Sequence, residues 1–261
     1  MIPLDSKTTA LWEKWQRLAV PALFFMAVIY YEELFLKLYC FHTLTVEGVI
    51  FTALFTLPVA LLLGLLCGGI SLRRGRLLLP VCTALVSLWV GTQVVYYHLF
   101  KTFLSIFSLT KMAMVAQSFG EMAVGSVLAN WFPILMMSAP TVLSILFRRA
   151  LIPDQALARG QRLRTAALAA AEQLTAIGLV LLCGSGVLSL RYIYLQAATP
   201  ELEVQNFGVF TQLQLELRRV LFGIQPDSPD VSTEPEPDKA PPDLEPTLPP
   251  EDSPPPDGSV F

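Results

Sequence analysis

Charge is scarce in this chain. Asp, Glu, Lys and Arg make up 15% of its 261 residues, where a soluble domain carries roughly a quarter. Histidine is scarcer still, with two residues, His42 and His98, set far apart beside apolar stretches; isolated histidines do not make a metal site. The four cysteines, Cys40, Cys67, Cys82 and Cys183, form no CxxC pair and lie in or next to apolar runs. They read as small apolar membrane residues rather than as a disulfide framework or a thiolate site. No Walker loop, GxGxxG, HExxH or nucleophile elbow occurs, so nucleotide binding, zinc proteolysis and serine hydrolysis have no local support. The net charge of −3 joins an acidic tail to a basic remainder and gives no basic face for a nucleic acid.

Apolar residues take the place of the missing charge, at 54% of the chain, with a mean hydropathy of +0.56. A first run follows Lys7, Lys14 and Arg17 and flows into YYEELFLKLY rather than into a small-residue cleavage site; it reads as a retained membrane helix, not a signal peptide. Five stretches are long enough to cross a ~30 Å hydrocarbon layer, near 18–39, 46–70, 77–97, 129–147 and 167–190. Pro58 and Pro140 fall inside two of them, where neighbouring helices can satisfy the freed carbonyls. Gly64 and Gly68 form a GxxxG, which permits close helix approach. Lys and Arg number eleven on the side of the N-terminus and three on the opposite side, up to the fifth span. That asymmetry places residues 1–17 in the cytoplasm and everything after the fifth span outside.

Two further segments carry helical periodicity. Between the third and fourth spans, Phe100, Phe103, Leu104 and Phe107, then Met112, Val115, Phe119 and Met122, recur at spacings of three and four; the expectation is one or two helices on the outer surface or tucked back into the bundle. In NFGVFTQLQLELRRVLFG, residues 206–223, Phe210, Leu213, Leu217, Val220 and Leu221 share a face opposite a polar one that includes Arg218 and Arg219. This reads as a single interfacial helix within a juxtamembrane region, 191–225. From residue 226 onward twelve residues are proline and ten are Asp or Glu. Such a composition builds no core and favours an extended, disordered spacer over 226–261.

The expected architecture is therefore an all-α membrane protein. It has five transmembrane helices over 18–190, an outer helical loop between helices 3 and 4, a juxtamembrane amphipathic helix and a disordered C-terminal tail. The candidate contacts follow from it. Glu32 and Glu33 lie inside the first span, where an unpartnered carboxylate costs ~2.5–3.5 kcal/mol on insertion scales. They either meet an amine, a lipid head group or a proton path, or they snorkel outward or pair with Lys37, four residues after Glu33. Tyr97, His98, Lys101 and Phe103 form an outer aromatic group, either a belt or a head-group vestibule. With Arg218 and Arg219 these make up the candidate lipid and head-group contacts. No catalytic or metal-ligating residue is assigned within the chain.

The order of these features resembles a known family. The basic N-terminus, YYEELFLKLY in span one, SLRRGR after span two, VVYYHLFKTFLSIFSL opening the outer loop and NFGVFTQLQLELRRVLFG after span five are similar to the membrane portion of the sulfatase-type lipoteichoic acid synthases, clostridial branch. The likeness covers about residues 15–223, and Phe207 to Arg218 is its most telling part. It implies a five-helix bundle, a juxtamembrane helix and a linker leading to an extracellular phosphatase-like domain. That domain moves glycerol phosphate from phosphatidylglycerol onto a cell-envelope polymer, with a catalytic threonine and a divalent metal, typically manganese. Related phosphoethanolamine transferases share the arrangement. No strand resembling the opening of that domain precedes Ser259-Val260-Phe261, and Thr233 and Thr247 sit in the tail, so no catalytic residue carries over. The expectation is a lipid-presenting anchor whose catalytic domain lies beyond Phe261, with no cofactor held in this chain. The alternatives are a stand-alone regulatory or binding membrane protein, a phosphoethanolamine transferase-like membrane domain, or a small transporter using Glu32 or Glu33.

Overall fold

The computed structural model describes residues 6–106, 124–152, 159–184, 189–196 and 199–222. They are helical almost throughout, with no strand among the described residues. In chain order the helices are α1 (Ser6–Phe41), α2 (Val46–Gly69), α3 (Leu72–Phe100), α4 (Trp131–Leu151), α5 (Arg159–Leu182), α6 (Leu190–Leu195), α7 (Pro200–Phe207) and α8 (Val209–Phe222). Five stretches are long and apolar enough to cross a membrane: Ala19–Phe41, Val46–Gly69, Leu72–Phe100, Trp131–Leu151 and Gly160–Leu182. The chain is a multi-pass α-helical membrane protein. The expected surface helices of the outer loop fall mostly on 107–123, and the spacer on 226–261; both lie outside the described residues.

α1 is the centre of the bundle and packs on α2, α3 and α4, while α5 lies against α2. One crossing is unusually close. A Cβ at Gly64 of α2 would sit 2.8 Å from the backbone of Ala22 in α1, so the first glycine of the GxxxG is needed for contact. Around it Phe25, Ile29, Ala60, Leu79 and Val86 form an apolar cluster. The flanking helices show large apolar groups outward, such as Leu143, Ile145 and Leu146 on α4 and Leu163, Leu174 and Leu182 on α5. In water these faces would be a liability; in lipid they are the solvated surface.

Four prolines interrupt the spans, Pro21, Pro58, Pro80 and Pro140. Pro140 leaves the Met136 carbonyl without its helical donor, and the Tyr31 hydroxyl of α1 reaches that oxygen at 3.4 Å, a long contact from a neighbouring helix.

The fifth span sits nearer the N-terminus than hydropathy places it. Leu182 ends the helix, and Gly184 follows with φ +71, a left-handed turn that suits glycine. The apolar run continues past the turn, which is why the pattern alone carries the span to 190. At the other end α5 takes in Arg162 and Arg164, residues with long stems that can carry the charge to the interface.

Helices α6, α7 and α8 and the segment 101–106 close the end of the bundle where α1 and α3 finish and α2 begins. Phe51, Phe55, Tyr194, Phe207 and Leu215 join them to α2 and α5, and Leu36, Val90, Val94, Phe103, Val204 and Val209 join them to α1 and α3. The segment 206–223 is not one helix. Gly208, with φ +92, turns a corner between α7 and α8. On α8, Val209, Thr211, Gln212 and Leu215 face the bundle. Leu217, Val220 and Leu221 from the face that periodicity marks as apolar stay exposed, as befits a helix whose apolar side meets lipid.

Candidate functional site

A polar layer runs beneath this cap, and Glu33 is its centre. Its side chain is 1% exposed, and it accepts the backbone N–H groups of Val209 at 2.9 Å and Phe210 at 3.1 Å. Those are the first residues of α8, so the carboxylate binds a helix N-terminus, where free donors and the helix dipole both favour an anion. Gly208 makes the approach possible: a Cβ there would lie 2.7–2.8 Å from the carboxylate atoms of Glu33. Lys37, one turn along α1 and equally buried, donates to the Gly48 carbonyl at 3.1 Å and to the Thr52 hydroxyl. It therefore ties α1 to the start of α2 and supplies a positive charge within reach of Glu33.

Three more contacts stitch the cap together. The Gln93 side chain of α3 accepts from Leu104 N at 2.8 Å and donates to Leu104 O at 3.1 Å, which fixes the extended segment after α3. Glu216 of α8 accepts from Ile106 N at 2.7 Å and from Gln212 Nε2 at 2.7 Å. Arg219 of α8 pairs with the buried Glu203 of α7. Desolvation pushes the Glu203 carboxyl up to about 7, against the lowering effect of Arg219. Burial likewise raises Glu216 above the ordinary carboxylate range, offset in part by its hydrogen bond from Ile106. The Arg218 guanidinium lies 5.6 Å from the centre of the Tyr194 ring, in cation–π range.

Glu32 points elsewhere. It is fully buried and accepts the Ser87 hydroxyl of α3 at 2.6 Å. Ser87 in turn lies 3.2 Å from the Thr141 hydroxyl of α4. Among the described residues, the second carboxyl oxygen of Glu32 is buried without a partner. The adjacent carboxyls of the first span thus do different jobs: Glu33 holds the cap, and Glu32 links three membrane helices near mid-span.

The outer aromatic group is also divided. Tyr97 and Phe103 stack at 4.9 Å, and Phe103 is 1% exposed. Lys101, in a left-handed conformation at the end of α3, holds its ammonium 5.8 Å from the Tyr97 ring centre. His98 bonds the Val94 carbonyl through Nδ1 at 3.0 Å and packs against Tyr39, whose hydroxyl donates to Asn130 at 3.1 Å. Of the eight sequence candidates, Glu32, Glu33 and Phe103 are enclosed by protein, while Tyr97, His98, Lys101, Arg218 and Arg219 keep some accessible surface.

Several members of the polar layer carry no strong sequence signal of their own. Gln93 is an amide in an apolar span, and Glu203, Gln212 and Glu216 look like ordinary polar-face residues. The signal available was the spacing of Gln212 and Glu216, four apart on a helix. Among the described residues no group of three or more His, Cys, Asp and Glu side chains is arranged to hold a metal ion. No family model matches the chain, and no curated protein or solved structure matches it.

Proposed function

We propose that this chain is the membrane anchor and lipid-presenting module of a lipoteichoic acid synthase-like phosphoglycerol transferase, which draws on phosphatidylglycerol to build a cell-envelope polymer. The observation that carries the reading is the joint between Glu33 and the first turn of α8. A membrane helix grips the helix that leads into the Pro-rich acidic segment, so a domain attached beyond Phe261 is tethered to a fixed point at the bilayer surface. The excess of Lys and Arg on the N-terminal side supports a cytoplasmic N-terminus and an extracellular C-terminus. In that orientation the capped end faces outward, where such a polymer is assembled.

In this reading the bilayer is the first partner, and phosphatidylglycerol is presented near Tyr97, His98, Lys101 and the α8 arginines. The threonine nucleophile and the divalent metal, manganese in the family this chain resembles, belong to the domain after Phe261. Reading the gene past the codon for Phe261 tests the proposal. The expected result is an uninterrupted frame entering a sulfatase-like domain. A stop codon at that point, with no such frame downstream, overturns it.

A further inference from the structure

Spacing along the chain keeps the four cysteines apart, and the fold brings two of them together. Cys40 packs in the cluster with Leu36, Val90 and Val94, and Cys183 lies against the one around Phe51 and Phe55. Cys67 of α2 and Cys82 of α3 share a third, built on Phe25, Ile29, Leu79 and Val86. There the two thiols face each other across the helix contact and share a hydrogen bond. Both are free thiols, and neither takes part in the cap.

The backbone fixes this meeting. Gly75, in the first turns of α3, faces the carbonyl of Cys67, and a Cβ added there would run into that oxygen. Only Ile70 and Ser71 connect the two helices. A crossing this close, tied by so short a link, holds its interior side chains in defined places. The thiols are therefore standing neighbours rather than occasional ones.

The surroundings select the reagent. Cys67 is fully buried, whereas Cys82 keeps a small accessible edge beside Val81 and Leu85, which are exposed on the outside of α3. That side meets lipid. A charged oxidant would have to shed its water to arrive there, which an apolar surface does not repay. An apolar oxidant dissolved in the bilayer is already in the phase that wets the site. A thiolate formed on either sulfur is the reactive species, and it would keep the S–H of the other as its donor.

We propose that Cys67 and Cys82 form a redox-active dithiol, oxidised to an α2–α3 disulfide by a lipid-soluble quinone. Two S–H bonds break and one S–S bond forms. The two electrons and two protons pass to the quinone, which leaves as its hydroquinone. A small dithiol reverses the step by exchange. The bond clamps the bundle at the end away from the cap, so the stiffness of the α1–α2–α3 core follows the oxidation state of the membrane. None of this requires a domain beyond Phe261.

The test uses the full chain, reduced and then freed of reductant, in phosphatidylcholine nanodiscs without oxygen. The probe is decylubiquinone, whose fully substituted ring resists addition of a thiol. Each chain should release one hydroquinone and lose two of its four alkylatable thiols. Digestion should yield a linked peptide pair containing Cys67 and Cys82, which dithiothreitol separates. Cys67→Ala and Cys82→Ala should each abolish the hydroquinone, while Cys40→Ala and Cys183→Ala should retain it. Ferricyanide, a charged oxidant, should leave the pair reduced. Four thiols surviving the quinone, or a link through Cys40 or Cys183, overturns the dithiol. Oxidation by ferricyanide as fast as by the quinone overturns the route through lipid. The linked peptide is read from the native chain, so the outcome stands even where a variant fails to fold. A stop codon after Phe261 leaves the dithiol standing, and its failure leaves the proposed function standing.

Discussion

Replacing Gly208 by alanine strikes the joint between α1 and α8 at its tightest point. The residue has φ +92 and ψ 167, a region occupied essentially by glycine, where another residue costs ~1–3 kcal/mol. The new methyl would also lie 2.7–2.8 Å from the Glu33 carboxylate, so one of the two must move. Moving the carboxylate weakens two buried charge-assisted hydrogen bonds, each worth ~1.5–3 kcal/mol. Counting the strain and the loss of one to two bonds, the cost is about 2.5–9 kcal/mol, a large share of a typical ~5–15 kcal/mol total.

The three buried cysteines, Cys40, Cys67 and Cys82, allow unfolding in detergent to be followed with a thiol-reactive dye. At about 2–4 °C per kcal/mol for a chain of this size, the melting temperature should fall by at least ~5 °C. Gly178→Ala is the control, since a Cβ at that position in α5 meets nothing within 4 Å and alanine favours a helix by ~0.5–1 kcal/mol. Combining Gly208→Ala with Glu33→Ala should cost less than the sum of the two, because the methyl no longer meets the carboxylate. A Gly208→Ala protein that melts within ~1 °C of the wild type would refute the reasoning, and strict additivity in the pair would refute the contact.

Two more expectations concern charge. Because burial raises the Glu203 carboxyl from 4.5 to about 7, the folded state holds that proton more tightly than the unfolded chain. Its contribution to stability is full below about pH 4.5 and is lost as pH rises through about 7, amounting to about 3 kcal/mol. Melting temperatures from pH 4 to 8 should show this decline, and Glu203→Gln should flatten it; an equally steep profile in the variant removes Glu203 as the cause. For orientation, a membrane-impermeant maleimide added to intact cells should label Lys101→Cys in a background with the native cysteines replaced by alanine. Arg74→Cys should need permeabilised cells, and the reverse pattern would invert the proposed topology.

The five spans were legible because twenty-odd apolar residues in a row have few other uses, and the two carboxyls of the first span stood out by their cost. Their partners did not. The groups that satisfy Glu33 are backbone amides at Val209 and Phe210, which look the same in every sequence and lie 176 and 177 residues away. The corner at Gly208 was hidden for another reason: the apolar periodicity of α8 can be extended backward through it, so the pattern reads as one helix. Gly184 was masked in a similar way by the apolar residues that follow it. Gln93 and Ser87 form bonds that exist only after α1, α3 and the segment beyond α3 have come together. Local chemistry thus announced which residues needed partners, and tertiary packing alone decided who those partners are.

The distance between Glu33 and its donors along the chain has a consequence for biosynthesis. At 5–20 residues per second, the 176 residues between Glu33 and Val209 take ~10–35 s to make. Throughout that interval the first helix resides in or near the membrane with a carboxyl whose eventual binding site has not been synthesised. Lys37, the sole Lys or Arg between Ala19 and Phe41, lies one turn away and is the counter-charge available from the outset. The lysine is thus an escort during insertion before it becomes a strut between α1 and α2, and α8, emerging long after it, relieves it of that duty.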